Sequence, residues 1–163
     1  MPDMLVKLYE LPPIQPAIDA ISAHGVTMRR AIAPEKHLIL VWIRQHFSEF
    51  WVSEADAAFS RQPASIFVAQ DGNTLLGFAC YDVTARGFFG PTGVSEAARG
   101  KKVGAALLLA ALHDMLAQGY GYAVIGGVGP ADFYAKVAGA VLIPDSSPGL
   151  YRGMLGSENQ DED

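Results

Sequence analysis

Arg99, Lys101 and Lys102 stand within four positions of one another, three of only twelve Lys and Arg residues in a chain of 163. They directly precede Val103–Leu112, an apolar run that predicts the most convincing helix of the sequence. The start of a helix carries unpaired backbone N–H groups and about half a positive charge. Cations placed there cost about 0.3 kcal/mol or more each unless an anion meets them. Gly100 and Gly104 lower the steric barrier to a close backbone approach. Basic side chains, glycines and free N–H groups together describe an anion site, with phosphate the best fit. The alternative for the same residues is a solvated basic turn whose glycines serve only the loop.

Two familiar phosphate motifs do not fit. SEAARGKK falls short of a Walker A loop, which needs glycine at Ser95 and Ser or Thr at Lys102. GGVGPAD follows an apolar strand, but the third glycine of a dinucleotide fingerprint counted from Gly127 falls on Asp132. Metal chemistry has no support either, because His24, His37, His46 and His113 lack ligand spacing, and no metal is expected. A serine hydrolase would show a G-x-S-x-G elbow, and a thiol enzyme a Cys/His pair; neither is evident. Cys80, the lone cysteine, lies in LLGFACYDV and reads as a packed thiol on a buried strand.

The elements that must position these residues follow from composition and periodicity. Half of the chain is hydrophobic and 18% is charged, as in one globular domain with a sizeable core. A net charge of −5 argues against nucleic acid as a partner. Apolar runs too short for a bilayer, no basic-then-apolar leader and no disulfide pair predict a soluble cytoplasmic protein without a membrane partner.

Met4–Leu11 predicts a short strand and Ile14–Ala23 a helix, together a leading extension over 1–25 that packs on the core. Val26–Ala33 reads as the first core strand, followed by helices over Glu35–Phe47 and Phe50–Ser60. Ser65–Gln70 and Leu75–Val83 are strands joined by the hairpin signal DGNT. Phe88–Val94 is a strand broken by Pro91. The central helix, about Lys101–Ala117, is apolar almost all round and should be buried on more than one side. Tyr122–Gly127 predicts a strand and Pro130–Ala138 a helix. Ala140–Ile143 and Leu150–Leu155 predict a last strand pair, and 157–163 an acidic disordered tail.

RGKKVGAALL resembles the acetyl-CoA pyrophosphate loop of the GNAT N-acetyltransferases, Q/R-x-x-G-x-G/A at the opening of a long helix. Arg99 fills the first position and Gly104 the last, while Lys102 stands where the family usually has its first glycine. FYAKVAGAVLI, some thirty residues on, is similar to the family's FYEKLGF signature. The resemblance covers about 27–155. It implies an α/β fold over 26–156, with a mixed, mostly antiparallel central sheet flanked by helices. It also implies acetyl-CoA as cosubstrate, a small-molecule or peptide amine as acceptor, and the possibility of a homodimer. On that pattern Arg99, Gly100, Lys101, Lys102, Val103, Gly104 and Ala105 hold the pyrophosphate. Val94 and Ser95 offer main-chain partners to the pantetheine arm. The family's frequent Asn, seven residues before its Tyr, falls on Gly127.

Acyl transfer from a thioester to an amine needs a neutral amine, donors for the oxyanion and a proton for the departing thiolate. Tyr134 matches the family's tyrosine and is the candidate proton donor. No base is evident on the strand that sometimes carries one, since GFFGPTGV contains no acid. Glu54, Asp56 and Asp82 are the remaining candidates, and Trp51, Glu54 and Asp82 are candidates for binding the acceptor. Trp42, Trp51, Glu54 and Asp56 lie on the helices that border the family's acceptor pocket, and Trp51, Tyr81, Phe88, Phe89 and Tyr151 are candidate lining. A second reading, a non-catalytic acyl-CoA-binding sensor or interaction module, stays open beside the enzyme.

Overall fold

The computed structural model describes residues 1–156; the expected acidic tail, residues 157–163, lies outside them. Seven strands form one sheet: β1 (Met4–Lys7), β2 (Thr27–Arg30), β3 (Ile66–Asp71), β4 (Thr74–Tyr81), β5 (Phe88–Val94), β6 (Tyr122–Ile125) and β7 (Val141–Leu142). Their spatial order is β2-β3-β4-β5-β6-β1-β7. Five α-helices cover it: α1 (Gln15–Ser22), α2 (Lys36–His46), α3 (Glu49–Ala58), α4 (Val103–Ala117) and α5 (Ala131–Ala138). The result is a mixed, mostly antiparallel sheet between two helical layers.

Local chemistry explains the boundaries. DGNT turns β3 into β4, with Asp71 facing Thr74 and Gly72 at φ 56°. Ser48 caps α3, accepting the N–H of Trp51. α4 begins only after Lys102, two residues later than periodicity suggests, because Lys102 is left-handed with φ 63°.

Each helical layer buries its own core. Against one face of the sheet, α4 sets Leu107, Leu108, Leu112 and Met115 among Val6, Ile21 and Ile125. Each such side chain contributes about 1.5–3 kcal/mol of apolar burial. On the other face, α2 and α3 bring Ile39, Ile43, Val52 and Ala55 against Ile66, Val68, Phe78 and Cys80. Strand alternation sorts β4 between the layers, with Phe78 and Cys80 facing α2 and α3, and Ala79 and Tyr81 facing α4.

Two expectations need correcting. Met4–Lys7 does not merely pack on the core: it is hydrogen-bonded inside the sheet, Met4 opposite Ile125 of β6 and Leu142 of β7. Leu150–Leu155 is not a strand, since Gly149–Tyr151 forms a 3-10 turn instead. The strand beside β7 is thus supplied by the start of the chain, and the later segment is released to form a loop.

The feature that shapes the site is a split in the sheet. β5 and β6 run parallel and pair only through Phe88 with Val124 and Phe89 with Ile125. Next come Gly90, at φ 118°, and Pro91, which has no N–H to give. β5 stays on β4 as far as Val94, opposite Gly77, and so parts from β6.

Candidate active site

Along β5 the backbone groups divide between its two edges. Ser95 gives its N–H to the Leu76 carbonyl on the β4 side at 2.8 Å. Alternation therefore directs the N–H of Val94 to the other edge, into the split. Of the two main-chain partners implied for the pantetheine arm, Val94 keeps its donor and Ser95 does not. The Ser95 hydroxyl oxygen is buried without a hydrogen-bond partner among the described residues.

Beyond Ser95 the chain makes a 3-10 turn, Glu96–Ala98, and enters α4 through Arg99–Lys102. No side chain caps α4, and the first helical donor with a partner is Ala106, to the Lys102 carbonyl. The N–H groups of Val103, Gly104 and Ala105 thus have no acceptor among the described residues. Arg99 and Lys102 are exposed and Lys101 half-buried. None of the three takes part in an ion pair among the described residues. Gly104 is open, since a Cβ there would come only to 3.7 Å from Val94 and 3.8 Å from Phe133. Cations and helix donors therefore converge beside the split.

Tyr134 projects from α5 on the same face. Its ring packs edge-on against Phe89, with centroids 6.4 Å apart, and against Phe133 at 5.1 Å. Phe89 is the last residue of β5 paired with β6, so the Tyr134 ring packs on the residue at which the split begins. Burial pushes the Tyr134 pKa above the ordinary phenol value and keeps the proton on oxygen.

On the opposite face, side chains from four segments meet. Phe88 and Tyr151 close over Gly126, where a Cβ would lie 3.2 Å from the Phe88 ring and 3.1 Å from the Tyr151 hydroxyl. Tyr151 lies beside Glu54 and Thr84, and burial followed by the charge of Glu54 raises its pKa. The Thr84 hydroxyl donates to Glu54 Oε2. Burial raises the Glu54 pKa, and the Thr84 bond opposes part of that shift. Asp3 anchors this corner by accepting the N–H of Gly127 at 2.8 Å. Thr84 and Asp3 were not foreseen; Asp3 belongs to the leading segment, and nothing local announces its partner.

Other candidates have structural partners. Asp82 accepts the Gly87 N–H and the Tyr120 hydroxyl, both at 2.7 Å, and faces Arg61 at 3.4 Å. Its side chain is 2% exposed, so it pins the β4–β5 loop rather than facing a ligand. Asp56 pairs with Lys36 at 2.6 Å on the outside of α3. Tyr81 donates to Asp114, which also holds Arg30; burial and that carboxylate push its pKa up to about 12. Trp42 stacks on His46 at 4.2 Å, and Trp51 on Phe47 at 4.7 Å, both edge-on to Phe78. Both Trp42 and Trp51 are partly buried against the core between the sheet and α2 and α3. Among the described residues no cluster of His, Cys, Asp and Glu is arranged to hold a metal ion. Nor is any helix among them long and apolar enough to cross a membrane.

The sequence profile of the Acetyltransferase (GNAT) family matches residues 32–139. The chain belongs to that family. Its fold is similar to a GCN5-related glucosamine N-acetyltransferase region of a fungal multi-domain GH3 β-N-acetylglucosaminidase, with TM-score 0.72 and 13% identity over 87% of this chain and 19% of that one. It is also similar to GCN5-related N-acetyltransferases from Sphaerobacter thermophilus (TM-score 0.62, 17% identity, 87% and 48% of the two chains) and Kribbella flavida (0.56, 18%, 86% and 53%). The chain spans about half or less of the length of these structures. No curated protein matches it in sequence. Family and fold together support acyl transfer as the general chemistry.

Proposed function

We propose that this protein is an acetyl-CoA-dependent N-acetyltransferase that passes the acetyl group directly to a small-molecule or peptide amine. The observation that carries this reading is the uncapped start of α4, with three cations in no ion pair among the described residues, set beside the gap between β5 and β6. Those groups fit a long anionic thioester. Val103, Gly104 and Ala105 would give N–H bonds to the pyrophosphate, and Arg99, Lys101 and Lys102 would neutralise it. Val94 would pair with the pantetheine amide across the split. The buried Ser95 oxygen, without a partner among the described residues, suits a polar group at the same place. Bound there, the cosubstrate supplies an acyl carbon activated towards nucleophiles.

Tyr134 is assigned the proton that the leaving thiolate needs. Its raised pKa keeps the phenol protonated across the neutral range. The dry surroundings that disfavour the phenolate also disfavour the thiolate, so the proton transfer between them keeps its driving force. The second reading, a binding module without catalysis, is favoured by the absence of an acid on β5 and by Gly127 where the family often has Asn.

Calorimetric titration with acetyl-CoA, NAD and ATP separates these readings from a plain basic turn. Micromolar binding of acetyl-CoA alone, weakened at least about tenfold by Lys101→Glu, is expected. Absence of binding overturns the proposal. Tyr134→Phe should lower kcat on an amine panel that includes glucosamine by about 10- to 100-fold, with acetyl-CoA affinity unchanged. An equal loss of both would remove Tyr134 from the chemistry. Acetyl-CoA binding without transfer to any amine would favour the binding module.

A further inference from the structure

We propose that Glu54 is the general base, receiving a proton from an acceptor that arrives as a primary ammonium on the α2–α3 face of the split. This rests on the acetyltransferase reading above.

The two faces of β5 separate the two halves of the reaction, and the register shift opposite Ala79–Tyr81 keeps Phe89 and Val94, five residues apart, on one of them. Val94 and Phe89 face α4, where the anion site and Tyr134 lie, whereas Phe88 and Gly93 face α2 and α3. A thioester held on the α4 side and threaded through the gap presents its acyl carbon to the other face. Glu54 lies there, on the layer that also carries Phe88 and Tyr151.

The other acids of this layer are occupied. Glu35 is bound to Arg29, Glu49 to Arg44 and Asp56 to Lys36. Asp82 is consumed inside its loop. Glu54 is in no ion pair among the described residues, and its one hydrogen bond, from Thr84, uses Oε2. Oε1 accepts none among them. The groups that face it are Thr84, the buried Cys80 thiol of β4 and Tyr151, with Asp3 behind Tyr151. None of these is a cation.

A half-buried carboxylate without a cation is costly to keep, and an incoming ammonium lowers that cost. Tyr151 borders Glu54, and Phe88 meets Tyr151 over Gly126. A neutral acceptor could donate a hydrogen bond to Oε1 but would leave the charge unpaired, and an anionic one would be repelled.

The proton balance closes without a further reactant. Glu54 carboxylate takes one proton from R–NH3⁺. The nitrogen lone pair forms the C–N bond to the acyl carbon, and the C–S electron pair leaves with sulfur. Tyr134 gives its proton to that sulfur and recovers one from the amide nitrogen, which sheds its second as the amide forms. Glu54 returns its own to solvent. The sum is amide, free thiol and one released proton.

The test is the pH dependence of kcat/KM for the best primary amine, compared among wild type, Glu54→Gln and Glu54→Asp, with acetyl-CoA binding measured for each. Wild type should show an acidic limb set by a carboxyl above the ordinary glutamate range. Glu54→Gln should lose about tenfold or more in kcat at neutral pH, keep its acetyl-CoA affinity, and gain rate with pH as solvent removes the proton instead. Glu54→Asp should restore part of the rate and the limb. A Glu54→Gln enzyme with wild-type rate and profile overturns the assignment while leaving the acetyltransferase intact. A wild type that binds no acetyl-CoA and acetylates nothing overturns both.

Discussion

The ring of Phe47, in the link between α2 and α3, lies directly on Gly93 of β5. A Cβ at Gly93 would sit 2.4 Å from a ring carbon. The ring also packs on Trp51 at 4.7 Å and Phe78 at 6.1 Å, so this glycine lets the aromatic layer close over the strand beside the split. Gly93→Ala should expel the ring and cost about 1–2 kcal/mol, read from urea unfolding. In a Phe47→Ala background the same change should cost about 0.5 kcal/mol less or better. Additive losses would show that the two residues are not coupled.

Lys102 holds the left-handed conformation that opens α4, at φ 63° and ψ 20°. That explains why a glycine is usual at this point of the motif: any side chain there strains the turn by about 1–2 kcal/mol. Lys102→Gly should leave thermal stability unchanged or raise it slightly, because relief of strain exceeds the added chain entropy. Lys102→Val, branched at Cβ, should lose about 1 kcal/mol or more. Equal melting temperatures for the two variants would refute the argument.

Asp82 joins the Gly87 amide, the Tyr120 hydroxyl and Arg61 in a side chain almost fully out of water. Removing it strands those partners. Asp82→Ala should cost about 2–4 kcal/mol in chemical denaturation, whereas Asp82→Asn, which keeps an acceptor oxygen and tolerates the positive φ of 58°, should cost about half as much. The KM for the acceptor should stay put in Asp82→Asn. A raised KM with unchanged stability would return Asp82 to the binding site.

Local signals carried much of the fold. Pro91 between two glycines marked the break in β5, the all-apolar face marked α4 as central, and DGNT fixed a hairpin. Elements whose identity depends on distant pairing were not legible in this way. Met–Leu–Val–Lys says strand but not which strand it joins, and Leu150–Leu155 has strand-like residues whose place beside β7 is taken by β1. The site divides likewise. The cations clustered before an apolar helix, on which the proposed anion site rests, are legible by themselves. Glu54, Asp56 and Asp82 look alike as letters, and only their neighbours distinguish an open carboxylate from one bound to Lys36 and one locked in a loop. The left-handed turn at Lys102 was hidden because lysine rarely adopts it.

The placement of β1 bears on how the molecule is made. A ribosome releases Met4–Lys7 long before Tyr122–Ile125 and Val141–Leu142 exist, so this strand has no partner while most of the sheet assembles. Met4 and Val6, buried in the finished protein, lack their sheet partners until then. Closure of the slot between β6 and β7 is therefore a late, long-range event of the kind that slows folding. A strand translated well before its partners is thus among the last to take its seat, and Asp3 ties the turn after β6 to it through the Gly127 N–H as it does so.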